Sequence, residues 1–449
     1  MSALLRDKRL PVWLLAAASV IAVPLLIRLQ RDSGIWQDEW TFLLWRDGWS
    51  PADIFGAFNG QLLPLTPIVF NIDRALFSAG ATGLLTFVSI VAQIAVAWAA
   101  FAYVRVRLGD WIAAACSLLL LFNGTGYELL VWNFNFGWMT ALAAGVFALV
   151  VFESGESTKH NVGAVALLLL SMSGNNNSVV FIAAILVYAL YKETRRRALL
   201  VAGPPFALFV LWYLVEGRGD RTFLPRTWPD WIAQVIESTF AGLLGDIGGI
   251  NQWGTPLAVL GIGVMVYLLA RERTIRPQLA VALSMPIIFI ALITLGRGGL
   301  FDAGASRYRY TLLLFGGLAL AELLRGQRLR TIGATIGFAG ILGVFILSNL
   351  VLLPDGAASI RRGFDFNRVY ATALVKAGPE VARSTAYKPV DPALRPDLND
   401  DVYEWLVNGD GEKFAWTPGQ LAAQPAAVQE QVQMLLTQIR KSQPVDASP

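Results

Sequence analysis

Residues 11–29 read PVWLLAAASVIAVPLLIRL, and residues 35–40, a few positions later, read Ile-Trp-Gln-Asp-Glu-Trp. The first stretch is apolar and long enough to cross a bilayer as a helix. The second stretch places two adjacent carboxylates, Asp38 and Glu39, just beyond that span and among tryptophans. A membrane helix that emerges into a pair of acids predicts an integral membrane protein with chemistry at its outer surface.

The composition extends this interpretation to the whole chain. Hydrophobic residues make up 55% of the 449 residues and charged residues 15%, and the mean hydropathy is +0.54. Charged residues normally form about a quarter of a soluble chain. The net charge of +4 is explained better by membrane topology than by nucleic acid, and we expect no nucleic-acid partner.

Basic clusters and apolar stretches together predict an all-α bundle of about eleven transmembrane helices. Short cytoplasmic loops collect Lys and Arg, so we expect a multi-pass protein of the cell (cytoplasmic) membrane. Its N-terminus is expected inside and its C-terminus outside, with the first span retained as an anchor. The predicted spans are 11–29, 82–104, 110–122, 138–152, 162–173, 177–191, 198–215, 255–270, 278–296, 310–324 and 331–353.

The predicted spans divide the chain into two regions. Residues 1–353 are expected to form a transmembrane catalytic domain, in which 30–77 is the first external loop, with a helix over 65–77 lying along the membrane. Residues 354–449 are expected to form a small extracytoplasmic C-terminal region with a helix over 425–441. The stretch 162–191 is broken by Asn175-Asn176-Asn177, and we expect a hairpin with these asparagines facing outward.

Two single residues exclude several kinds of site. Cys116 is the only cysteine and His160 the only histidine. An internal disulfide and a metal site built from several histidines are therefore excluded.

The acid pair is the first candidate for catalysis. If 36–46 form a helix, Asp38 lies opposite the face that carries Trp36 and Trp40. A carboxylate among aromatic rings is partly desolvated, which raises its pKa and makes it a better base. The alternative is an ordinary solvated pair of acids at a helix end.

Neutral polar groups in the outer loops are candidates for substrate binding. Asn59 and Gln61 close the first loop, and Asn133 lies in the loop 123–137. Amide side chains could hold sugar hydroxyls, together with aromatic rings such as Trp36 and Tyr308. The alternative for the amides is capping of turns and helix ends.

Three arginines near the outer end of a late span form the second strong feature. Arg297, Arg307 and Arg309 lie in a Gly-rich segment, against the usual bias of positive charge toward the cytoplasm. Arginine pairs with phosphate through a planar fork. On a strand, Arg307 and Arg309 would point the same way. The alternatives are arginines at the interface that extend toward water, or pairing with Asp302.

These features resemble the GT-C membrane glycosyltransferases, in particular bacterial relatives of protein O-mannosyltransferases and lipid A aminoarabinose transferases. The resemblance rests on Asp38-Glu39 after the first span, the Asn-Gly-X-Leu-X-Pro turn at 59–64 and the Ser-Arg-Tyr-X-Tyr segment at 306–310. It implies a GT-C-like fold and a polyprenyl-phosphate sugar donor. Asp38 would then be the catalytic base and Glu39 the supporting acid.

The expected function is therefore inverting transfer of a sugar to a hydroxyl of an envelope glycan, lipid or protein. The arginines would bind the lipid phosphate of the donor. No cofactor is required, although Asp38 and Glu39 could hold a divalent cation. The alternatives are a transporter or flippase for a lipid-linked sugar, or a non-catalytic assembly protein of the cell envelope.

Overall fold

The structure is a computed structural model. It describes residues 9–31, 34, 36, 38–44, 46, 48–77, 82–217, 228–244, 254–272, 274–297, 304–326, 332–379, 399–408 and 414–441.

Within these ranges the chain is built from α-helices. The only β-type pairing among the described residues is an isolated bridge between Phe58 and Gln61. Short 3-10 turns cover Gly124–Gly126, Asn133–Asn135 and Tyr188–Leu190. The helices are α1 Leu10–Gln30, α2 Glu39–Leu44, α3 Pro51–Phe55, α4 Leu65–Phe77, α5 Gly83–Leu108, α6 Asp110–Leu121, α7 Tyr127–Val131, α8 Phe136–Ser154, α9 Thr158–Gly174, α10 Ser178–Val187, α11 Arg195–Val215, α12 Trp228–Leu244, α13 Gly254–Arg271, α14 Pro277–Arg297, α15 Ser306–Leu323, α16 Ile332–Ala377, α17 Asn399–Asn408, α18 Pro418–Ala422 and α19 Ala426–Lys441.

The chain is a multi-pass membrane protein. Six of the described helices are long and apolar enough to cross a membrane. The number rises to seven if α6 and the segment Gly124–Val131, which meet at a bend of 43°, form one span. Helices overlap all eleven predicted stretches, but α10 has only 10 residues. Such a helix is about 15 Å long, half the thickness of a bilayer core. Eleven crossings therefore remain a prediction.

The helices fall into two compact units. Unit 1 contains Met1–Arg31, Phe55–Leu65 and Thr86–Ala357, and unit 2 contains Asp32–Ile54, Thr66–Leu85 and Ala358–Pro449. The last predicted span, 331–353, is continued without a break, since α16 runs through Pro354 to Ala377. Helix α4 covers the predicted 65–77, and α19 starts one residue after the predicted 425.

Close packing through small residues holds the centre of unit 1 together. A Cβ added to Gly145 of α8 would lie 2.0 Å from the Phe181 ring of α10. Phe181 in turn packs edge-on against Phe315 of α15 at 5.4 Å between ring centroids. Small residues let membrane helices approach closely, because packing rather than the hydrophobic effect drives their association.

One end of unit 1 is fastened by a buried ion network, which we call the Arg107 end. The Arg107 guanidinium donates to Glu322 of α15 and to Glu153 of α8, the latter at 2.6 Å. The Tyr188 hydroxyl donates to the second oxygen of Glu153 at 2.7 Å. The ends of α5, α8, α10 and α15 that the basic clusters assign to the cytoplasm therefore meet on one side.

Unit 2 is a smaller assembly around α2, α4 and the C-terminal helices. Phe42 of α2 packs on Phe70 of α4 with ring centroids 5.6 Å apart. The Asn71 amide of α4 donates to the Gly48 carbonyl at 2.7 Å. Both contacts fix the chain that follows the acid pair.

Candidate functional site

A tight turn closes the first loop within unit 1. Phe58 and Gln61 exchange two backbone hydrogen bonds, at 3.0 and 2.8 Å. Asn59 and Gly60 between them have φ of 50° and 68°. Two consecutive residues with positive φ define a type I′ turn, for which Asn-Gly is the preferred pair. The Asn-Gly of the sequence motif is therefore required by the backbone.

Two asparagines after α9, Asn175 and Asn176, hold this turn. The Asn175 amide donates to the Gln61 side-chain oxygen at 3.0 Å, and the Asn176 amide donates to the Gly60 carbonyl at 3.1 Å. The Leu62 backbone N–H donates to the Asn176 side-chain oxygen at 3.0 Å. The two segments that sequence placed outside thus lie on the same end of unit 1. Gln61 already has one amide partner here, and substrate binding by Asn59 and Gln61 remains a prediction.

Asn133, which precedes the neighbouring α8, lies in the same region. Gly174 at the end of α9 approaches the Gly137 carbonyl so closely that an added Cβ would lie 2.4 Å from it. Asn133, just before α8, is fully buried and donates weakly to the Thr86 hydroxyl at 3.5 Å. Its side-chain oxygen has no hydrogen-bond donor in the described part of the chain. Buried polar atoms are normally satisfied, so this oxygen is available to a polar ligand or water.

Arg307 and Glu128 form the ion pair of this end, which we call the Arg307 end. The Arg307 guanidinium donates to a Glu128 carboxylate oxygen at 3.0 Å, and the two side chains are 19% and 14% exposed. The Glu128 backbone N–H donates to the Ser306 hydroxyl at 2.9 Å, and the Asn135 amide donates to the Glu128 carbonyl at 2.9 Å. Residues 128–135 and the start of α15 are thereby fixed together.

The strand geometry predicted for the arginines is wrong. Residues 306–310 form the first turn of α15, so Arg307 and Arg309 lie about 200° apart around the helix rather than on one face. The Arg309 Nε is buried and has no acceptor among the described residues. Arg297 ends α14, and its side chain lies outside the described part of the structure, as does Asp302.

Tyr308 is nearly fully buried in an aromatic cluster. Its ring contacts those of Trp231, Trp138 and Phe289 at centroid distances of 6.0, 6.3 and 6.4 Å. The Arg307 guanidinium lies over the Tyr308 ring at 5.2 Å. The Tyr308 ring therefore stabilises the position of the Arg307 guanidinium. Contact between Tyr308 and substrate remains a prediction.

The acid pair belongs to unit 2 and differs from the predicted helix over 36–46. Helix α2 begins only at Glu39, so Asp38 and Trp36 precede it. Glu39 is 2% exposed, and its carboxylate accepts the Trp36 backbone N–H at 2.7 Å. Asp38 is half-buried, and its carbonyl accepts the Thr41 N–H at 3.2 Å. Glu39 is thus held by the backbone, while Asp38 is the more accessible carboxylate.

A metal site is not evident in the described part of the chain, where no three His, Cys, Asp or Glu side chains form a group that could hold an ion. A divalent cation at Asp38 and Glu39 remains a prediction.

Glu128 is a site residue that was not predicted from the sequence. An outward-facing arginine cluster needs a counter-charge, and this requirement could have indicated an acidic partner such as Glu128.

Comparison with known proteins identifies the fold. No protein-family model matches the sequence, and no curated protein does. Three solved structures of membrane glycosyltransferases are similar. ArnT from Cupriavidus metallidurans, bound to undecaprenyl phosphate, is 12% identical over 97% of this chain and 90% of its own, with a TM-score of 0.50.

The other two are oligosaccharyltransferases of Archaeoglobus fulgidus. AglB in complex with an inhibitory peptide and a dolichol-phosphate is 13% identical over 96% of this chain and 69% of its own, with a TM-score of 0.50. An oligosaccharyltransferase complex with zinc and sulfate is 12% identical over 82% of this chain, with a TM-score of 0.48. This chain spans 56% of that protein's length. The fold is GT-C-like, as the sequence resemblance implied.

Proposed function

We propose that this protein transfers a sugar from a polyprenyl-phosphate donor to an acceptor hydroxyl at the outer face of the cell membrane. The main support for this proposal comes from the arginines at the Arg307 end of unit 1. There, the Arg309 Nε is buried and no acceptor for it lies among the residues that the structure describes. Arginine nitrogens in such a place favour a ligand rich in anionic oxygens, and a phosphate has them.

The fold favours a lipid phosphate as the ligand of these arginines. The protein is a multi-pass membrane protein with a GT-C-like fold. Solved structures of ArnT and AglB, which share this fold, contain undecaprenyl phosphate and dolichol-phosphate, respectively. A sugar linked to polyprenyl phosphate is a donor that can reach the site from within the bilayer.

The reaction is a single displacement with Asp38 as base. The acceptor oxygen attacks the anomeric carbon while its proton passes to the Asp38 carboxylate. The bond between the anomeric carbon and the phosphate oxygen breaks, and its electron pair leaves on the lipid phosphate. That group gains one negative charge at the start of α15, where Arg307 and Arg309, although on opposite faces, both lie in the first helical turn and would stabilise it. Asp38 returns its proton to water, and the configuration at the anomeric carbon is inverted.

The remaining polar groups have supporting roles in this proposal. Glu39 holds the turn that presents Asp38, through its bond from the Trp36 N–H. Asn133, Asn59 and Gln61 would contact sugar hydroxyls, and Trp36 would stack on the sugar or the acceptor. Arg297 would join the phosphate site. Sugars are bound by such amides and aromatic faces, because each hydroxyl needs a polar partner once it is desolvated.

A direct assay tests the proposal. Purified protein in lipid vesicles is mixed with polyprenyl-phosphate sugars labelled in the sugar, and with membranes from cells that lack the gene. We expect label in an envelope product together with free polyprenyl phosphate, and an anomeric configuration opposite to that of the donor. Movement of intact donor across the vesicle membrane, without release of polyprenyl phosphate, would instead indicate a flippase.

A further inference from the structure

The two tryptophans that flank the acid pair both pack against the C-terminal part of the chain, within unit 2. Trp36 lies edge-on to Phe364 of α16, with ring centroids 6.3 Å apart at 85°. Its indole also covers Gly363, where an added Cβ would lie 2.7 Å from a ring carbon. Position 363 therefore has to be a glycine for Trp36 to keep its place.

Trp40, on the other side of the pair, is held in a similar way. It is buried and lies edge-on to Trp405 of α17, at 5.6 Å and 85°. Trp405 also packs on Phe414 at 5.2 Å. Edge-to-face aromatic pairs have a preferred geometry and stabilise it beyond the area that they bury.

The C-terminal segments that make these contacts are themselves tied to α16. The Trp416 backbone N–H donates to the Thr372 hydroxyl at 2.9 Å, and the Arg368 guanidinium lies over the Trp416 ring at 5.1 Å. The Arg440 guanidinium donates to the Lys376 carbonyl at 3.4 Å. The C-terminal region therefore packs around the end of α16, and its extracytoplasmic location stays a prediction.

We propose that Gly363 and Trp405 are positioning residues that set the orientation of the Asp38 carboxylate. The Trp36 N–H donates to the Glu39 carboxylate at 2.7 Å, and the Glu39 N–H donates to the Trp36 carbonyl at 3.1 Å. Asp38 lies inside this turn, so a displaced indole moves the base with it. A displacement of about 1 Å at a reacting group can cost about 100-fold in rate.

This inference rests on the proposed function, and turnover measurements test it. Gly363→Leu should lower kcat by about 10-fold or more while the affinity for polyprenyl phosphate stays within about two-fold. Gly419→Leu is the matched control, because an added Cβ at 419 meets nothing within 4 Å, and it should leave both quantities unchanged. Trp405→Ala should behave like Gly363→Leu, and Trp405→Phe should restore most of kcat.

A cross-link tests the packing without any activity assay. A Cβ on Gly34 would lie 3.2 Å from the Phe364 Cβ, close to the 3.5–4.5 Å typical of a disulfide. In a Cys116→Ala background, Gly34→Cys with Phe364→Cys should form a disulfide on oxidation, and Gly34→Cys alone should not. Failure of the pair to cross-link would overturn the inference.

The outcomes separate the inference from the function on which it rests. Normal kcat in Gly363→Leu and Trp405→Ala, with an active unaltered chain, would overturn the positioning role and leave the proposed transfer intact. If the Gly34→Cys, Phe364→Cys pair cross-links as expected but the unaltered chain transfers no sugar, the proposed function is overturned, and the positioning role with it.

Discussion

The Arg307 guanidinium donates to the Glu128 carboxylate at 3.0 Å, across 179 residues of chain. Both side chains are mostly buried, so each charge lies next to an opposite charge in a place that water reaches poorly. Removing one partner of such a pair costs more than the pair itself contributes, because a desolvated charge is left behind. The pair therefore fixes Arg307 before any donor arrives.

Glu128→Gln should loosen the Arg307 end. The substitution keeps the size of the side chain but removes the charge, and we expect a loss of about 1–3 kcal/mol in unfolding free energy. Thermal unfolding in detergent checks this. Glu216→Gln, at an exposed position after α11, is the control and should leave the stability unchanged. Equal stability of both variants would show that the ion pair has no structural role.

Arg309→Gln should weaken donor binding. The variant removes a guanidinium whose buried Nε has no acceptor in the described residues. The hydrogen bonds that are lost are therefore those to the bound phosphate. We expect about a 10-fold or larger increase in the Kd for polyprenyl phosphate, since a charged hydrogen bond contributes about 1.5–3 kcal/mol. Arg196→Gln, exposed at the start of α11, is the control. An unchanged Kd for Arg309→Gln would remove Arg309 from the phosphate site.

Gly60→Ala should destabilise the turn that Asn176 holds. The φ of 68° at Gly60 is left-handed backbone, which costs other residues about 1–2 kcal/mol. No neighbour lies within 4 Å of an added Cβ at Gly60 or at Gly317. Gly317→Ala, in the middle of α15, is therefore a matched control that lacks the strain and should be neutral or stabilising. Protease cleavage near 58–62 should increase only in Gly60→Ala.

Asp73 predicts a pH dependence of stability in unit 2. Burial raises the pKa of this carboxyl above its ordinary 3.8, although the Leu84 and Leu85 backbone N–H groups oppose the shift. A raised folded-state pKa means that the folded state holds the proton more tightly than the unfolded state. The contribution of Asp73 is therefore most favourable in acid and declines as the pH rises from about 3.8 through the raised pKa.

Asp73→Asn isolates this contribution. The amide oxygen can still accept the Leu84 N–H, which donates to Asp73 at 2.8 Å, but position 73 no longer titrates. Unfolding free energies of both proteins should be measured between pH 4 and 8. The variant should gain relative to the unaltered chain as the pH rises. A difference that is constant with pH would contradict the raised pKa.

Local features of the fold were predictable from the sequence. Apolar runs gave the helix positions, including α4, and the Asn-Gly at 59–60 is a turn signal by its own backbone preference. Helix ends that the basic clusters assign to one side meet around Arg107, and their cytoplasmic location stays a prediction. These features depend on residues close in sequence or on a charge rule for the whole chain.

The pairings within the candidate site were not predictable. Asn175 and Gln61 are 114 residues apart, and no local pattern indicates that they meet. Residues 307–310 alternate Arg and Tyr as a strand would, but they form the first turn of α15 together with the apolar run that follows. The proposed role of Gly363 depends on its close contact with the Trp36 ring, and no sequence pattern indicates that contact.

The proposed role of Asp38 as the base can be tested by comparing three proteins. Initial rates of sugar transfer and affinities for polyprenyl phosphate should be measured for the unaltered protein, Asp38→Asn and the exposed control Asp230→Asn. Loss of a general base predicts a rate lower by about 10²–10⁴-fold in Asp38→Asn, with donor affinity retained and Asp230→Asn unaffected. Transfer by Asp38→Asn at the rate of the unaltered protein would contradict the claim.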